Sequence, residues 1–133
     1  YQNTGDASTP AFVQVAGPGN PLDGVNVSNM SAPTFVDIDG DGDYDIVSAR
    51  DEDHIAGGPK WWENSAGDGT VWVQHDEIPE LSPARGVVTA DVDGDGDQDV
   101  MTVGTRGGMP SFHYLYCYEN PGDSSSVWTS RWG

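Results

Sequence analysis

The chain has 133 residues, with 5 lysines and arginines against 22 aspartates and glutamates, so its formal net charge is −17. This balance excludes nucleic acid and anionic bilayers as principal partners, because phosphate groups are bound by clustered cations. No apolar run approaches the roughly 20 residues of a membrane-spanning helix, and the single cysteine, Cys117, excludes an internal disulfide and a cysteine-based metal motif.

The acidic residues are unevenly distributed along the chain. Ten of the 22 lie in two nine-residue segments, 37–45 and 91–99. High net charge with modest hydrophobicity is typical of disorder, but the chain also contains 5 tryptophans, 5 tyrosines and valine-rich runs such as VVTADV. We therefore expect a folded chain that carries two concentrated anionic loops.

An internal repeat organises the chain. The stretch PTFVDIDGDGDYDIVSA aligns with GVVTADVDGDGDQDVMTV, so that Asp37 matches Asp91 at an offset of 54, and WWENSAGDGTVW matches CYENPGDSSSVW at an offset of 56. An aromatic-x-Asn element recurs three times, with aromatic residues Tyr1, Trp62 and Tyr118 and asparagines Asn3, Asn64 and Asn120. The sequence predicts three units: residues 1–31, the outer half of a preceding repeat plus a connecting loop, and the complete repeats 32–82 and 83–133.

Within the connecting loop, residues 16–31 are rich in glycine, proline and asparagine, a composition typical of irregular structure. The segment holds two N-glycosylation sequons, at Asn26 and Asn29. Such triplets also occur by chance, so their use is left open. Glycosylation at either site would require a secreted protein.

Each complete repeat contains four short β-branched or aromatic runs bounded by Gly, Pro, Asn and Asp, which predict strands. The runs are 34–36, 45–48, 60–63 and 71–75 in the first repeat and 86–90, 99–103, 113–119 and 127–128 in the second. Helical periodicity is absent. The predicted fold is all-β, with a four-stranded antiparallel sheet per repeat and an acidic turn between its first two strands. Because such a sheet alone is marginally stable, the sheets are expected to pack face to face.

The acidic segments DIDGDGDYD and DVDGDGDQD place aspartate at the first, third, fifth, seventh and ninth positions. Two unit charges about 4 Å apart repel by roughly 1 kcal/mol in water and by about 4 kcal/mol at an effective dielectric constant of 20. A bound dication would reverse the sign of that energy. Ca²⁺ accepts about six to eight oxygen ligands in an adaptable shell, whereas Mg²⁺ demands a tight octahedron. The sequence therefore predicts two Ca²⁺ sites.

Glycine at the sixth position, where the chain turns sharply, sets the register, so that the first loop begins at Asp37 and has Gly42 at the turn. The aspartates at positions one, three, five and nine are then predicted to offer side-chain oxygens, and the seventh its backbone carbonyl. The side-chain ligands are Asp37, Asp39, Asp41 and Asp45 in the first loop and Asp91, Asp93, Asp95 and Asp99 in the second, with carbonyls from Asp43 and Asp97.

An acidic, glycine-containing loop has two other interpretations, an EF-hand and a solvated turn without metal. An EF-hand needs a bidentate glutamate at position twelve and flanking helices, but these positions are Ser48 and Thr102, inside predicted strands. An EF-hand is therefore excluded. A solvated turn without metal remains the other alternative, and it is disfavoured because the two loops match position by position.

The acidic loop between hydrophobic strands, followed by an aromatic-Glu-Asn element and a Trp-containing strand, resembles the FG-GAP/VCBS-type repeat of calcium-binding β-propellers, which is also the general blade of integrin α-subunit heads. The resemblance covers nearly the whole chain. It implies that each repeat is one four-stranded blade with calcium bound between its first two strands. A closed propeller has about four to eight blades, so the resemblance implies either an excerpt of a longer protein, the favoured alternative, or several copies that complete a ring.

No catalytic constellation is evident. The three histidines, His54, His75 and His113, have no spacing typical of a metal site or a triad, and no nucleophile elbow, zinc-protease motif, P-loop or dinucleotide fingerprint is present. Cys117 is interpreted as a packing thiol. The aromatic residues are expected mainly to fill the interface between blades, with sugar stacking as the alternative. For that alternative Trp61 is the candidate, since its repeat equivalent is the small Cys117 and exposure is expected there.

The resemblance implies a noncatalytic, calcium-stabilised module of an extracellular or cell-surface protein, serving adhesion, glycan contact or assembly. Its expected partners are other blades of the same or a longer chain, with glycans and surface proteins as further candidates. The alternatives are the propeller portion of a carbohydrate-active enzyme and a purely structural subunit of a surface filament.

Overall fold

The computed structural model describes residues 1–27, 31–49, 58–76, 78–79, 84–105, 113–122 and 127–132. Within these residues the chain forms ten β-strands and one short 3₁₀ helix, Gly17–Gly19. The strands are β1 (Gln2–Asn3), β2 (Phe12–Val13), β3 (Ala32–Val36), β4 (Asp45–Ala49), β5 (Lys60–Glu63), β6 (Val73–His75), β7 (Ala84–Ala90), β8 (Asp99–Thr105), β9 (His113–Glu119) and β10 (Thr129–Trp132). The predicted all-β fold class is confirmed.

Each repeat folds as one antiparallel sheet in which neighbours in sequence are neighbours in space. The first sheet has the order β3-β4-β5-β6 and the second the order β7-β8-β9-β10. Connections are therefore simple hairpins, and the acidic segments form the hairpin turns between β3 and β4 and between β7 and β8. The four-stranded antiparallel architecture predicted from the runs of β-branched and aromatic residues is the one observed.

The last predicted strand of each repeat is displaced along the chain. β6 begins at Val73 rather than at residue 71, because the Trp72 indole donates hydrogen bonds to the carbonyls of Pro21 and Gly69 and belongs to the preceding turn. β10 begins at Thr129, after Trp128, which lies in the core at 6% exposure. The two tryptophans precede the strands, and their side chains serve in the turn or in the core. Their presence in an aromatic run therefore did not indicate where the strand begins.

The N-terminal hairpin has the pairing of the outer two strands of each four-stranded sheet. Gln2 pairs with Val13, Glu63 pairs with Val73, and Glu119 pairs with Thr129. Asn3 lies at the end of β1, as the repeat alignment requires, and its side-chain Oδ1 accepts hydrogen bonds from the backbone N–H groups of Gly5 and Ala11. The asparagine of the aromatic-x-Asn element therefore stabilises the turn between β1 and β2, at the position equivalent to the turn after the third strand of each sheet.

One core joins the two four-stranded sheets. β3 and β4 of the first sheet contact β7 of the second. In the register of the strands, Val47 and Trp61 are directly opposite one another on one face of the first sheet. They share a buried cluster with residues from the facing side of the second sheet: Val100, Tyr116 and Tyr118. The expected face-to-face packing of repeats is what buries these side chains.

The exposure predicted for Trp61 is wrong. Trp61 is 7% exposed and Trp62 is 5% exposed, and the Trp61 ring stacks on His75 with centroids 4.1 Å apart. The reason lies in the packing of the sheets: the face that carries Trp61 is covered by the second sheet. Cys117 lies on the equivalent face of the second sheet, which is only partly covered in the described residues. The small size of Cys117 therefore did not indicate that Trp61 is exposed.

We predict that Val100→Ala lowers the free energy of unfolding by about 2 kcal/mol, because Val100 is fully buried between the sheets. Val103→Ala on the same strand is the matched control, since Val103 is 43% exposed and its truncation should cost less than about 0.5 kcal/mol. Urea unfolding followed by tryptophan fluorescence measures both. Equal losses at the two positions would contradict the placement of the shared core.

Candidate metal centre

The first acidic loop, residues 37–45, is folded by its own aspartates. Asp37 accepts a hydrogen bond from the Gly40 N–H at Oδ1 (2.9 Å) and from the Gly42 N–H at Oδ2 (3.0 Å). Gly42 has a φ of 97°, which side-chain-bearing residues rarely adopt. The glycine used to set the register thus lies at a left-handed turn. The turn wraps the backbone around the Asp37 carboxylate.

Two further aspartates continue this pattern of short-range hydrogen bonds. Asp39 Oδ1 accepts from the Asp41 N–H at 3.2 Å, and Asp41 Oδ1 accepts from the Asp43 N–H at 2.8 Å. Such side-chain acceptors replace backbone partners in a loop that has no strand ladder. The alternating aspartates therefore determine the conformation of the loop as well as its charge.

Asp45, the ninth residue, is the first residue of β4 and is completely buried. Its Oδ2 accepts the Ile38 N–H at 3.1 Å, and its Oδ1 accepts the Asn64 N–H at 2.8 Å. One carboxylate thereby ties the start of the loop to the end of β5. Burial raises the pKa of Asp45 from its ordinary value of 3.8 to about 6, against the opposing effect of these two hydrogen bonds.

The second loop, residues 91–99, repeats this arrangement bond for bond. Asp91 accepts from the N–H groups of Gly94 (2.7 Å) and Gly96 (3.2 Å). Asp99, 1% exposed, accepts the Val92 N–H at 2.9 Å and the Asn120 N–H at 2.9 Å. Two loops with different neighbours reach the same geometry, so the geometry is encoded within the repeat.

Three carboxylates converge in each loop. Asp37, Asp39 and Asp45 offer oxygens that all lie within 4.8 Å of one another, and Asp91, Asp93 and Asp99 do the same. Two ligands of one Ca²⁺, each about 2.3–2.6 Å from the ion, are at most about 5 Å apart. The donor set, all hard oxygen, and its spacing therefore fit a calcium ion in each loop.

The fifth and seventh aspartates lie outside these triads. Asp41 and Asp95 use one side-chain oxygen to accept the N–H two residues later. Asp43 and Asp97 direct their carboxylates towards the turn that follows the third strand of the sheet. The predicted side-chain role of Asp41 and Asp95 and the predicted carbonyl role of Asp43 and Asp97 stay predictions.

The structure adds residues that the sequence reasoning did not assign to the site. Asn64 and Asn120, both 7% exposed, donate their backbone N–H groups to the ninth aspartates. Glu119 lies beside Asp93, and burial together with this neighbouring carboxyl raises the pKa of Asp93. A sequence signal for these residues exists, since the pair Glu-Asn recurs in both repeats. The recurrence alone did not show that β5 and β9 end beside the acidic loops.

Gly67 and Gly122 form the other unassigned pair. They have φ values of 70° and 70°, and a Cβ at either position would overlap Oδ2 of the seventh aspartate of its own sheet, Asp43 or Asp97. They are structurally equivalent although separated by 55 residues rather than by the 56 of the sequence alignment. The two glycines are not aligned in the sequence because the turn after the third strand differs by one residue between the repeats.

Residues 37–102, from the first acidic loop through the second and into β8, match the family model for the FG-GAP-like repeat. This part of the chain is FG-GAP-like. No curated protein and no solved structure shows a significant match to the chain. The predicted resemblance to FG-GAP-type repeats is confirmed, and the matched residues contain both carboxylate triads.

A cavity of about 450 Å³ lies between the two loops of this repeat region. The first loop contributes Asp37, Gly40 and Tyr44 to its lining, and the second contributes Gly96 and Asp97. The triads therefore lie side by side at one end of the packed sheets, because each loop joins the first two strands of its own sheet.

The remaining predicted site residues lie apart from the loops. Asn26 is exposed on the connecting segment, while Asn29 and the serine of the Asn26 sequon lie outside the described residues. Trp61 lies in the core between the sheets, so the described structure does not present its ring as a platform for a sugar.

We predict that Gly67→Ala lowers the free energy of unfolding by about 2 kcal/mol, because the added carbon strains a left-handed backbone and must also displace the Asp43 carboxylate. Gly17→Ala is the matched control: its φ is 64°, but nothing lies within 4 Å of the added carbon, so only the strain of about 1 kcal/mol applies. Chemical denaturation measures the difference. Equal costs for the two alanines would contradict the added cost of displacing the Asp43 carboxylate.

The pKa of Asp45 generates a prediction for the metal-free protein. A group whose pKa is higher in the folded chain than in the unfolded chain stabilises the fold at low pH, and this contribution is lost as the pH rises through the folded value of about 6. Acidification from pH 7 to 5 should therefore add about 1 kcal/mol of stability through Asp45. Urea unfolding of metal-free wild type and Asp45→Asn at both pH values isolates this contribution; parallel pH profiles would contradict it.

Proposed function

We propose that this FG-GAP-like region is a noncatalytic, calcium-stabilised β-propeller module of an extracellular or cell-surface protein that serves adhesion, glycan contact or assembly. The observation that carries the proposal is the pair of carboxylate triads, Asp37, Asp39, Asp45 and Asp91, Asp93, Asp99, with the same geometry in both repeats. FG-GAP-like repeats are often calcium-binding and typically extracellular, which supports the same assignment.

The electrostatics of the loops support calcium as the ligand. Burial, followed by the negative charge of neighbouring carboxylates, raises the pKa of Asp39. The metal-free loop is therefore a costly arrangement of like charges held by backbone N–H groups. A bound Ca²⁺ would supply two positive charges at the point where the three carboxylates meet. Asp37, Asp39 and Asp45 would hold the ion, and their hydrogen bonds to the backbone would orient them for it.

Calcium would then act as a structural cross-link. Asp45 and Asp99 each connect the loop to the end of the third strand of the sheet, so an ion held by these residues restrains three strands at once. Extracellular calcium modules bind at about 10⁻⁴–10⁻³ M. At tenfold saturation each site would contribute about 1.4 kcal/mol to stability, which is substantial for a domain of marginal stability.

The partner that the surface best fits is a further repeat of the same kind. The second sheet exposes Val88 (57%), Val103 (43%) and Leu115 (54%) on one face. In the first sheet the equivalent face carries Val47 and Trp61 and is buried under the second sheet. A following repeat, from the same polypeptide or another, would cover the exposed face as the second sheet covers the first.

The corresponding loop positions support this partner. Ile38, in the loop of the first sheet, is 4% exposed because the second sheet packs over it, whereas its equivalent Val92 is 52% exposed. Propeller blades stack in this repetitive way, and an apolar face of this kind is more typical of an interaction surface than of free solvent contact.

The extracellular assignment fits the acidic chain, which would remain soluble in a calcium-rich medium. Nothing helical in the described part of the chain has the length and hydropathy of a membrane span. Of the two sequons, the Asn26 side chain is on an exposed segment. Glycosylation at Asn26 or Asn29 is part of the proposal.

Two other functions remain as alternatives: the propeller portion of a carbohydrate-active enzyme, and a structural subunit of a surface filament. Glycan arrays with and without chelator separate glycan contact from a purely structural role. Turnover of acidic polysaccharides would instead favour the enzyme. The noncatalytic function is preferred because the carboxylates of the triads would be bound to calcium and would not be free to act as acid/base groups.

We predict that millimolar Ca²⁺ raises the melting temperature and that Asp39→Ala and Asp93→Ala each remove about half of the rise, since each belongs to one triad. The measurement is a thermal melt at stepped free calcium concentrations, buffered with a chelator. At tenfold saturation of both sites the expected gain is about 3 kcal/mol in total.

Two controls accompany this measurement. Asp23→Ala removes one carboxylate from the exposed connecting segment and should retain the full calcium response. Sodium at equal ionic strength should not reproduce the rise, because screening of surface charge is not selective for a divalent ion. A response to sodium as large as that to calcium, or one unaffected by both triad substitutions, would reject the calcium sites.

A further inference from the structure

Asn120 connects the two acidic loops. It follows β9 in the second sheet, yet its side-chain Nδ2 donates a 2.7 Å hydrogen bond to the carbonyl of Ile38, in the loop of the first sheet. The same Nδ2 group donates to the Gln98 carbonyl at 3.2 Å, in the loop of the second sheet. Asn120 is 7% exposed, so these bonds are made away from solvent.

The bonds of Asn120 reach both carboxylate triads. Its backbone N–H donates to Asp99 Oδ1 at 2.9 Å, a member of the second triad. Ile38, which receives its side chain, lies between Asp37 and Asp39 and donates its own N–H to Asp45 Oδ2 at 3.1 Å. A continuous path of hydrogen bonds therefore runs from Asp99 through Asn120 and Ile38 to Asp45.

The repeat-equivalent asparagine lacks this connection. Asn64 donates its backbone N–H to Asp45 and accepts the Gly69 N–H at Oδ1. Both bonds stay within the first sheet, and among the described residues its side chain makes no hydrogen bond to another sheet. The two asparagines thus share their role within a sheet and differ in the contact between sheets, which makes Asn64 a natural control.

We propose that Asn120 is a positioning residue that couples the two acidic loops, so that calcium in one loop raises the affinity of the other. This inference rests on the proposed function. An ion held by Asp99 would fix the backbone of Asn120, and its amide would then hold the Ile38 carbonyl and the two aspartates beside it in their ligating conformation. Because binding free energies are reciprocal, loading the first loop must strengthen the second by the same factor.

Calcium titration by calorimetry tests the coupling. The variants Asp93→Ala and Asp39→Ala each leave one functional loop and give the affinity of each site alone. The wild type should bind its second ion about fivefold or more tightly than these two affinities predict for independent sites. Asn120→Ala should abolish this excess, whereas Asn64→Ala, which removes the equivalent side chain without the bond between sheets, should retain it.

The outcomes separate this inference from the function on which it rests. Binding at two independent sites in the wild type, or an excess that survives in Asn120→Ala, overturns the coupling and leaves the calcium sites intact. Absence of calcium binding at millimolar concentration overturns both. Loss of the excess in Asn64→Ala as well as in Asn120→Ala also overturns the assignment, since the effect would then be general loosening of the turns.

Amide hydrogen exchange provides a test that does not need the Asn120 variant to fold. In Asp39→Ala only the second loop can be loaded, so any calcium-dependent protection of the Ile38 amide must be transmitted between the sheets. We expect exchange at Ile38 to slow by about threefold or more when calcium is added. Unchanged exchange at Ile38, with the second loop shown by calorimetry to be loaded, overturns the coupling.

Discussion

The buried carboxylates of Asp45 and Asp99 organise each sheet around its acidic loop. Each occupies the first position of a strand and accepts two backbone N–H groups, one from the loop and one from the residue after the third strand. Buried carboxylates are costly unless they are hydrogen-bonded or neutralised. The backbone bonds meet part of that cost, and the raised pKa of Asp45 shows that they do not meet all of it. The remaining imbalance is what a divalent cation would remove.

The strands and the acidic loops could be predicted because both are local. Alternating aspartates with glycine at the sixth position specify their own turn. The β-branched or aromatic runs predicted the first three strands of each repeat, whereas the last strand begins later than predicted because of the contacts of Trp72 and Trp128. This local pattern predicted four side-chain ligands in each loop, and three of the four converge in the structure: Asp37, Asp39, Asp45 and Asp91, Asp93, Asp99. The burial of Trp61 and the packing of Asp43 on Gly67 depend on contacts between strands or sheets. They could not be derived from spacing along the chain, and for Trp61 the repeat itself was misleading.

That failure has a physical origin in how repeats stack. Equivalent residues have the same position within a sheet but different positions in the stack. Val47 is buried by the next sheet, whereas its equivalent Met101 is half-buried and pairs with the exposed Val88 and the half-buried Cys117. In stacked repeats the interface contributes much of the stability. Comparing equivalent residues of two repeats therefore predicts the fold within each repeat. It does not predict their burial, which depends on what packs against each sheet.

The same stacking determines how far the loops can influence one another. The hydrogen bonds that the structure describes for the ninth aspartate connect its loop to residues of the same sheet. Between sheets, the Ile38 carbonyl is reached by Asn120 because packing buries the loop position that Ile38 occupies. Val92 holds the equivalent position in the second loop and is exposed, because no further sheet packs over it in the described residues. If the proposed function holds, each added repeat would cover the exposed face of the preceding sheet, and a contact like that of Asn120 with Ile38 would link calcium binding in one repeat to the packing of the next.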